Sequence, residues 1–316
     1  MSIPPNDAPR VTVVVANYNY AQHLPECLDS ILRQTLQDFE ILIADDGSSD
    51  TSLEILHDYE RRYPGKLHML CHPGRNHRGI LATYRMAFSN LRGTFTAFLE
   101  ADDRWEEDCL ARKIAALEKF PSAGVAYSDF RTRGAWRHRF YWDLYGTLNK
   151  LQIRWNRPVD MTRKFLFRNP VSSFSNVVVR TALLQGLEVT PSLRSNLDWW
   201  LLAHLSLKTR FVYLPEKLWQ WRIHPQSLGY HRVSSFSLWR LHRDLMALCE
   251  SLLAHLPHQA TEDKALERKR QAIERGLRFH RHLRGRDFEA VARSLLRHPL
   301  RTLRFLSYVV LKNLLF

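Results

Sequence analysis

The stretch that most constrains this chain is Phe95-Thr96-Ala97-Phe98-Leu99-Glu100-Ala101-Asp102-Asp103-Arg104-Trp105. A run rich in apolar and aromatic residues ends in three carboxylates within four positions. The run predicts a buried strand, with its acids at the C-terminal end. In open α/β sheets, ligands sit just beyond the carboxyl ends of the strands. Three carboxylates crowded at one strand end repel each other unless a cation neutralises them. Oxygen-rich sets of this kind suit Mg²⁺ or Mn²⁺. The alternative is a solvated acidic turn. A second acidic strand end upstream favours the metal-binding reading.

That second strand end emerges when the chain is taken in order. Val11 to Ala16 is a continuous, mostly β-branched run, a buried parallel strand, followed by the polar turn Asn17-Tyr18-Asn19-Tyr20. Leu24, Cys27, Leu28, Ile31 and Leu32 recur at helical spacing, with Pro25 at the helix start. Phe39 to Ala44 is a second strand that runs into Asp45-Asp46-Gly47-Ser48-Ser49-Asp50, where Ser49 or Asp50 can cap the next helix. Leu67 to Cys71 is a short strand, and a helix over Ile80 to Leu91 stops at Gly93. This β-α-β-α order predicts a mostly parallel sheet with helices on both faces. Beyond Asp103 the pattern predicts a helix over Leu110 to Phe120 and strands at Val125 to Ser128, Ser173 to Arg180 and Phe211 to Leu214. A mostly apolar helix begins at Leu197, and Trp219 to His224 reads as strand or loop. Arg131 to Arg168 is rich in Arg, Trp and Tyr, suited to stacking on sugars or bases or to plain packing.

Charge narrows the partners. The chain carries 46 Lys and Arg against 32 Asp and Glu, a net +14. The excess implies an anionic partner: nucleic acid, phosphorylated substrate or anionic lipid. Of it, 17 basic against 8 acidic residues fall between His231 and Phe316, away from the acidic strand ends. Within that helical region Leu300, Leu303, Leu306, Val310, Leu311 and Leu314 form an apolar face opposite Arg297, Arg301, Arg304 and Lys312. Such a helix suits an anionic membrane interface, or else packing on the domain. No zinc spacing, RNP-like motif or zipper supports nucleic acid. Four scattered cysteines, Cys27, Cys71, Cys109 and Cys249, argue against a disulfide framework and fit a reducing compartment. Neither a signal peptide nor an ordinary transmembrane helix is expected.

Taken together, these motifs resemble the family-2 glycosyltransferases of GT-A fold, over about Val11 to His224. Thr12 to Asn19 looks like the family's first strand and donor-binding turn. Ser30-Ile31-Leu32-Arg33-Gln34-Thr35 with Phe39-Glu40 resembles its first helix and second strand, and Asp45 to Asp50 its nucleoside-gripping acidic turn. Gly79 and Gly93 match the glycines flanking the helix before the metal motif. Glu100-Ala101-Asp102-Asp103 resembles the D-x-D-D metal motif, with Glu for the usual first Asp. Leu197-Asp198-Trp199 resembles the E-D-x segment that supplies the base, with Leu for Glu. Arg222-Ile223-His224 resembles the later R-x-H. The processive synthases' Q-x-x-R-W motif is missing, which points to single-sugar addition.

The resemblance implies a metal-dependent inverting enzyme that uses a nucleotide-sugar donor, a UDP-sugar first among them, and Mn²⁺ or Mg²⁺. It implies Asp46 at the base, Ala16 and Tyr18 lining its pocket, Asp102 on the ribose and metal side, Asp103 as metal ligand and Asp198 as general base. Glu100, Asp45, Arg222 and His224 are further candidates, Asp45 also as a simple turn cap. The expected acceptor is a glycan or lipid-linked sugar of cell-surface polysaccharide synthesis, reached from the cytoplasmic face of a bacterial membrane. The expected organisation is a catalytic domain over 1–230, with a nucleotide half (1–128) and an acceptor half (129–230), then a basic helical region over 231–316. Two other classes are weighed. A nucleotidyltransferase would need a Gly-rich basic loop where Asn17-Tyr18-Asn19-Tyr20 stands, and a non-catalytic basic module would have no use for Asp102, Asp103 and Asp198.

Overall fold

The computed structural model describes residues 8–134, 136, 139–140, 142–143, 157–166, 169–187, 197–227, 238–255 and 264–284. Its first half is a parallel block. Strands β1 (Val11–Asn17), β2 (Phe39–Asp45), β3 (Leu67–Cys71) and β4 (Phe95–Glu100) are joined by helices α1 (Leu24–Leu32), α2 (Ser52–Arg62) and α3 (Ile80–Phe88). The strands lie in the order β3-β2-β1-β4. The continuous apolar run of β1 follows from burial on both faces. Val11, Val13 and Val15 pack with Leu24, Leu28 and Ile31 of α1. Val14 and Ala16 pack with Tyr84 of α3, Phe98 and Phe174 on the other face. Gly93 lets the chain enter β4 beside β1: a Cβ there would lie 2.5 Å from the Thr12 nitrogen.

The second half is mixed. It comprises β5 (Arg104–Trp105), α4 (Cys109–Lys119), β6 (Ala123–Gly134), α5 (Thr162–Phe165), β7 (Val177–Arg180), α6 (Leu197–Lys208) and β8 (Arg210–Ile223). The full order is β3-β2-β1-β4-β7-β6-β8-β5, with β7 antiparallel to β4 and β6, and β5 antiparallel to β8. The sheet is therefore less uniformly parallel than the sequence suggests. Two boundaries also differ. Ser173 to Asn176 does not join the strand, because polar side chains divert the backbone into a turn: Ser173 Oγ accepts the Ser175 N–H, and the Asn176 amide bonds the backbone of Ser128 and Val171. Phe211 to Leu214 and Trp219 to Ile223 belong to one long strand. The register with β6 jumps from Leu214 to Lys217, so Pro215, which has no N–H to donate, is accommodated in a bulge.

Helices α7 (Leu238–Ala254) and α8 (Lys264–Arg284) follow. Leu248, Cys249, Leu252, Ile273 and Leu277 complete the core on the α6 side of the sheet, and the Lys269 ammonium caps the last turn of α6 through the Ser206 and Leu207 carbonyls. Among the described residues no helix is long and apolar enough to cross a membrane. The amphipathic helix expected beyond Pro299 lies outside the described residues.

Candidate active site

Adjacent parallel strands end at one level, so β1, β2 and β4 deliver Asn17, Asp45 and Glu100 to the same rim of the sheet. At the β2 end the acids are built in. Asp45 Oδ1 accepts the Gly47 and Ser48 N–H groups at 3.0 and 2.9 Å, and Oδ2 accepts from Asn17 Nδ2 and Ser48 Oγ at 2.7 and 2.6 Å. Gly47 closes this turn at φ +77°, and a Cβ on it would strike the Arg75 carbonyl at 2.6 Å. Asn19 adopts a left-handed conformation, and its side-chain oxygen receives the Ser49 N–H at 2.7 Å. The carboxylate of Asp46, 4% exposed, reaches the loop between β3 and α3. It accepts the N–H groups of Arg78 and Gly79 at 2.8 and 3.1 Å and faces His72 and His77 at 3.4 and 3.0 Å. The His77 ring in turn lies 4.3 Å from that of half-exposed Tyr18. The rim of β1 and β2 thus carries a short aromatic wall held by Asp46, with Ala16 buried at its base.

The β4 end is built differently. Glu100, Asp102 and Asp103 each offer a carboxylate oxygen within 4.8 Å of the others. The turn is fixed by the Asp103 N–H donating to the Glu100 carbonyl at 2.9 Å. Glu100 is held from below: Ser175 Oγ accepts its N–H, and Ser173 Oγ donates to its Oε2 at 3.1 Å. The preceding residue, Ser172, sits at φ +80°, a conformation a serine adopts at a cost. Strand β8 closes the other side. The antiparallel pairing of Arg104 with Gln220 and Trp105 with Trp219, continued by two residues, brings Arg222 against Asp102. Asp103 Oδ1 accepts the Arg222 backbone N–H at 2.9 Å, the Asp102 carbonyl accepts Arg222 Nε–H at 2.9 Å, and His224 Nε2 lies 3.1 Å from Asp102 Oδ2.

One atom stands out. Asp103 is 2% exposed, and its Oδ2 is buried without a hydrogen-bond partner. Burial, then Asp102 and Glu100, push its carboxyl well above the ordinary range. A buried, unpaired carboxylate oxygen converging with two other acids fits a hard divalent cation. The phenol of Tyr84 reports the same field. Its hydroxyl is buried without a partner, and burial, then Glu100, Asp198, Asp102 and Asp103, raise it well above its ordinary value. Asp198, in the first turn of α6, therefore acts electrostatically on the same phenol as the acid turn. Its Oδ2 accepts Asn169 Nδ2 at 2.9 Å. Tyr20, His23 and His224 form a ring cluster along this edge, with His23 and His224 centroids 4.8 Å apart. The His23 imidazole is lowered by burial, then by Arg222 and His224.

Each candidate residue thus has a place: Ala16, Tyr18, Asp45 and Asp46 on the nucleotide-side rim, Glu100, Asp102 and Asp103 in one cluster, Arg222 and His224 against it, and Asp198 on α6. Sequence reasoning missed His72, His77, Tyr84, Asn169 and Glu26. The first two lie in an aperiodic loop, and Tyr84 reads as one more core position of α3.

A curled mixed sheet flanked by helices, with an aromatic rim on one side of β1 and an acid turn on the other, defines a glycosyltransferase of GT-A type. The family model for glycosyl transferase family 2 matches residues 12–173, just over half of the chain, and the chain belongs to that family. It is 31% identical over 163 residues to a PGL/p-HBAD biosynthesis glycosyltransferase of Mycobacterium bovis, covering 51% of this chain and 56% of that one. It is 30% identical over 140 residues to the glycosyltransferase GlyA of Streptococcus pneumoniae, covering 43% and 19%. The matched stretch therefore spans little more than half of these relatives at most. Among solved structures it resembles Staphylococcus aureus TarS in complex with UDP-GlcNAc (TM-score 0.60, 18% identity, 86% of this chain and 72% of that one). It also resembles a Pyrobaculum calidifontis mannosyltransferase in complex with GDP-Man and Mn²⁺ (TM-score 0.58, 18% identity, 98% and 88%). At this identity the likeness is one of fold.

Proposed function

We propose that this chain is a metal-dependent, inverting glycosyltransferase that adds one sugar from a nucleotide-sugar donor, a UDP-sugar, to a hydroxyl of a glycan or lipid-linked acceptor in cell-surface polysaccharide synthesis. The observation that carries this reading is the orphaned Asp103 oxygen inside the Glu100, Asp102 and Asp103 cluster. Nucleotide sugars and Mn²⁺ in the fold neighbours support it.

Asp103 and Asp102 would hold the cation, with Glu100 steadied by Ser173 as a third oxygen donor. A divalent cation held there supplies Lewis-acid stabilisation of the charge that builds on the leaving diphosphate. The half-exposed Tyr18 and His77 rings offer the nucleobase a stacking face, with Asp46 fixing the loop beneath. Asp198 accepts the proton of the acceptor hydroxyl as it attacks the anomeric carbon from the face opposite the diphosphate. Asn169, donating to Asp198 Oδ2, orients the carboxylate for that role. Arg222 and His224 brace the acid turn, and the Arg222 guanidinium adds positive charge beside the leaving group. The acceptor is approached at the cytoplasmic face of a bacterial membrane. The basic segment beyond Pro299, expected from its sequence pattern to suit an anionic surface, lies outside the described residues.

The test is a panel of nucleotide sugars with Mn²⁺ and with chelator, followed by thermal stabilisation and slow hydrolysis. Stabilisation and turnover by one or more UDP-sugars, lost with chelator, are expected. A protein that neither binds nor hydrolyses any of them sinks the reading.

A further inference from the structure

Arg104 of β5, Arg131 and Arg133 of β6 and Arg222 of β8 share one face of the sheet corner. Arg104 and Arg131 both pair with Gln220, and Arg133 pairs with Arg222 two residues further along β8. With a side-chain period of two, all four project to the same side, while Trp105, Trp219 and Trp221 line the core on the other. Two carboxylates face these four guanidiniums. Glu26, at the start of α1, takes Arg222 on Oε2 and both Arg104 and Arg133 on Oε1, the latter two at 3.3 Å each. Glu106 takes Arg131 at 3.2 Å.

The order of contacts matters. Arg222 links the acid turn to Glu26, so it is engaged on both sides. Arg104 and Arg133 lie one carboxylate further out and share a single oxygen at distances longer than the ~2.7–2.9 Å of strong charge-assisted bonds. Partial burial works against Glu26, yet Arg222, then Arg133 and Arg104, hold its carboxyl below the ordinary value. Each guanidinium offers five N–H donors in a fixed fork that matches a phosphate. Ion pairs exposed to this degree are worth little, so an incoming dianion can displace them cheaply. The Arg104, Arg131 and Arg133 side chains are 37%, 57% and 55% exposed, which leaves the face reachable from solvent.

We propose that Arg104, Arg131 and Arg133 form a binding site for a phosphate ester carried by the acceptor, beside the cleft in which the sugar is transferred. The proposal rests on the transferase reading only for calling this ligand the acceptor. The phosphate can belong to a lipid-linked sugar or to a phosphate-containing soluble glycan.

The experiment is calorimetric titration of metal-free full-length protein at low salt with two probes, farnesyl phosphate and glycerol 3-phosphate. Wild-type protein is expected to bind at least one. The double variant Arg104→Gln/Arg133→Gln should weaken binding about tenfold or more, as expected when two charge-assisted contacts are lost. Arg104→Lys/Arg133→Lys should keep part of it. Glu26→Gln, which removes the competing carboxylate, should tighten binding, a sign that unfolding cannot imitate. Tighter binding of farnesyl phosphate supports a lipid-linked source, and equal binding supports a soluble one. No binding to wild type, equal binding to wild type and the glutamine variant, or weakening by Glu26→Gln overturns the site. Wild-type protein that binds the probes but turns over no nucleotide sugar leaves the anion site standing and sinks the transferase reading instead.

Discussion

Two acidic strand ends flank β1 and are finished in opposite ways. At the end of β2, Asp45 accepts four hydrogen bonds from its own turn and from Asn17, and Asp46 accepts two backbone N–H groups and faces two histidines. At the end of β4, Asp103 accepts one backbone N–H on Oδ1 and nothing on Oδ2, with two more acids alongside. The first pair has been absorbed into the architecture. The three acids of the second keep a buried oxygen without a donor, the feature on which the proposed cation site rests. Composition alone does not separate an acid that builds a turn from one that awaits a ligand; the supply of nearby N–H donors does.

The largest expected break in this comparison comes from Asp103→Asn. Removing the charge takes away the best-placed of the proposed metal ligands while keeping the side chain's shape. Turnover should fall at least ~10³-fold, with Mn²⁺-dependent donor binding lost. Steady-state rates and nucleotide-diphosphate titrations check this, and near-wild-type turnover would remove Asp103 from the metal site.

Much of the first half of the molecule was legible because parallel strands buried on both faces are written as continuous β-branched runs, and their ends are punctuated by acids and glycine. Val11 to Ala16, Phe39 to Ala44 and Phe95 to Leu99 all fall inside observed strands. The helix cap expected at Ser49 or Asp50 falls instead at Thr51, whose side chain makes no capping bond, while Asp50 Oδ1, one residue earlier, accepts the Ser52 N–H. The second half was harder to read. The long strand β8 is interrupted by Pro215 and looks like two pieces until β6 is there to pair with it. The turn at Phe174 to Asn176 depends on bonds between Asn176 and Ser128, forty-eight positions apart, which no local pattern encodes. The site divides similarly. Acids and the R-x-H triplet are visible in sequence, whereas the partnering of Tyr18 with His77, or of Arg104 and Arg133 with Glu26, exists only once the sheet is assembled.

A smaller effect should come from Asp198, which belongs to the second half and to neither strand end. Asp198→Asn retains the shape and the contact to Asn169 on one side but cannot take a proton. kcat should drop about 10²-fold or more, with donor affinity nearly kept, the pattern of an interaction made only in the transition state. The kcat and donor KM of the variant, measured separately, decide it. Parallel loss of donor binding would make Asp198 a donor contact or a structural residue.

The smallest effect is on stability and tests the comparison directly, without metal or substrate. Asp45→Asn keeps one oxygen for the two backbone N–H groups but removes the charge that strengthens all four bonds and turns an amide nitrogen toward Asn17 Nδ2 and Ser48 Oγ. About 1–3 kcal/mol of stability should be lost. Asp103→Asn should do the reverse in chelator, because it removes a buried charge that burial, Asp102 and Glu100 disfavour more than its hydrogen bonds support. The sign follows from linkage. The Asp103 carboxyl is raised in the folded protein above its ordinary 3.8, so the folded state resists ionisation that the unfolded chain accepts freely. Below about pH 4 both states are protonated and the variant gains nothing over wild type. As pH rises from there, wild type loses stability by at most about 1.4 kcal/mol per pH unit until the folded carboxyl itself ionises, and the variant's advantage grows accordingly. Urea unfolding of both variants and wild type across this range, in chelator, measures the effect. Saturating Mn²⁺ should then reverse the order of Asp103→Asn and wild type, as expected if the folded, ionised cluster holds the proposed cation. An Asp103→Asn advantage that ignores pH would mean the orphaned oxygen is not the source of the strain.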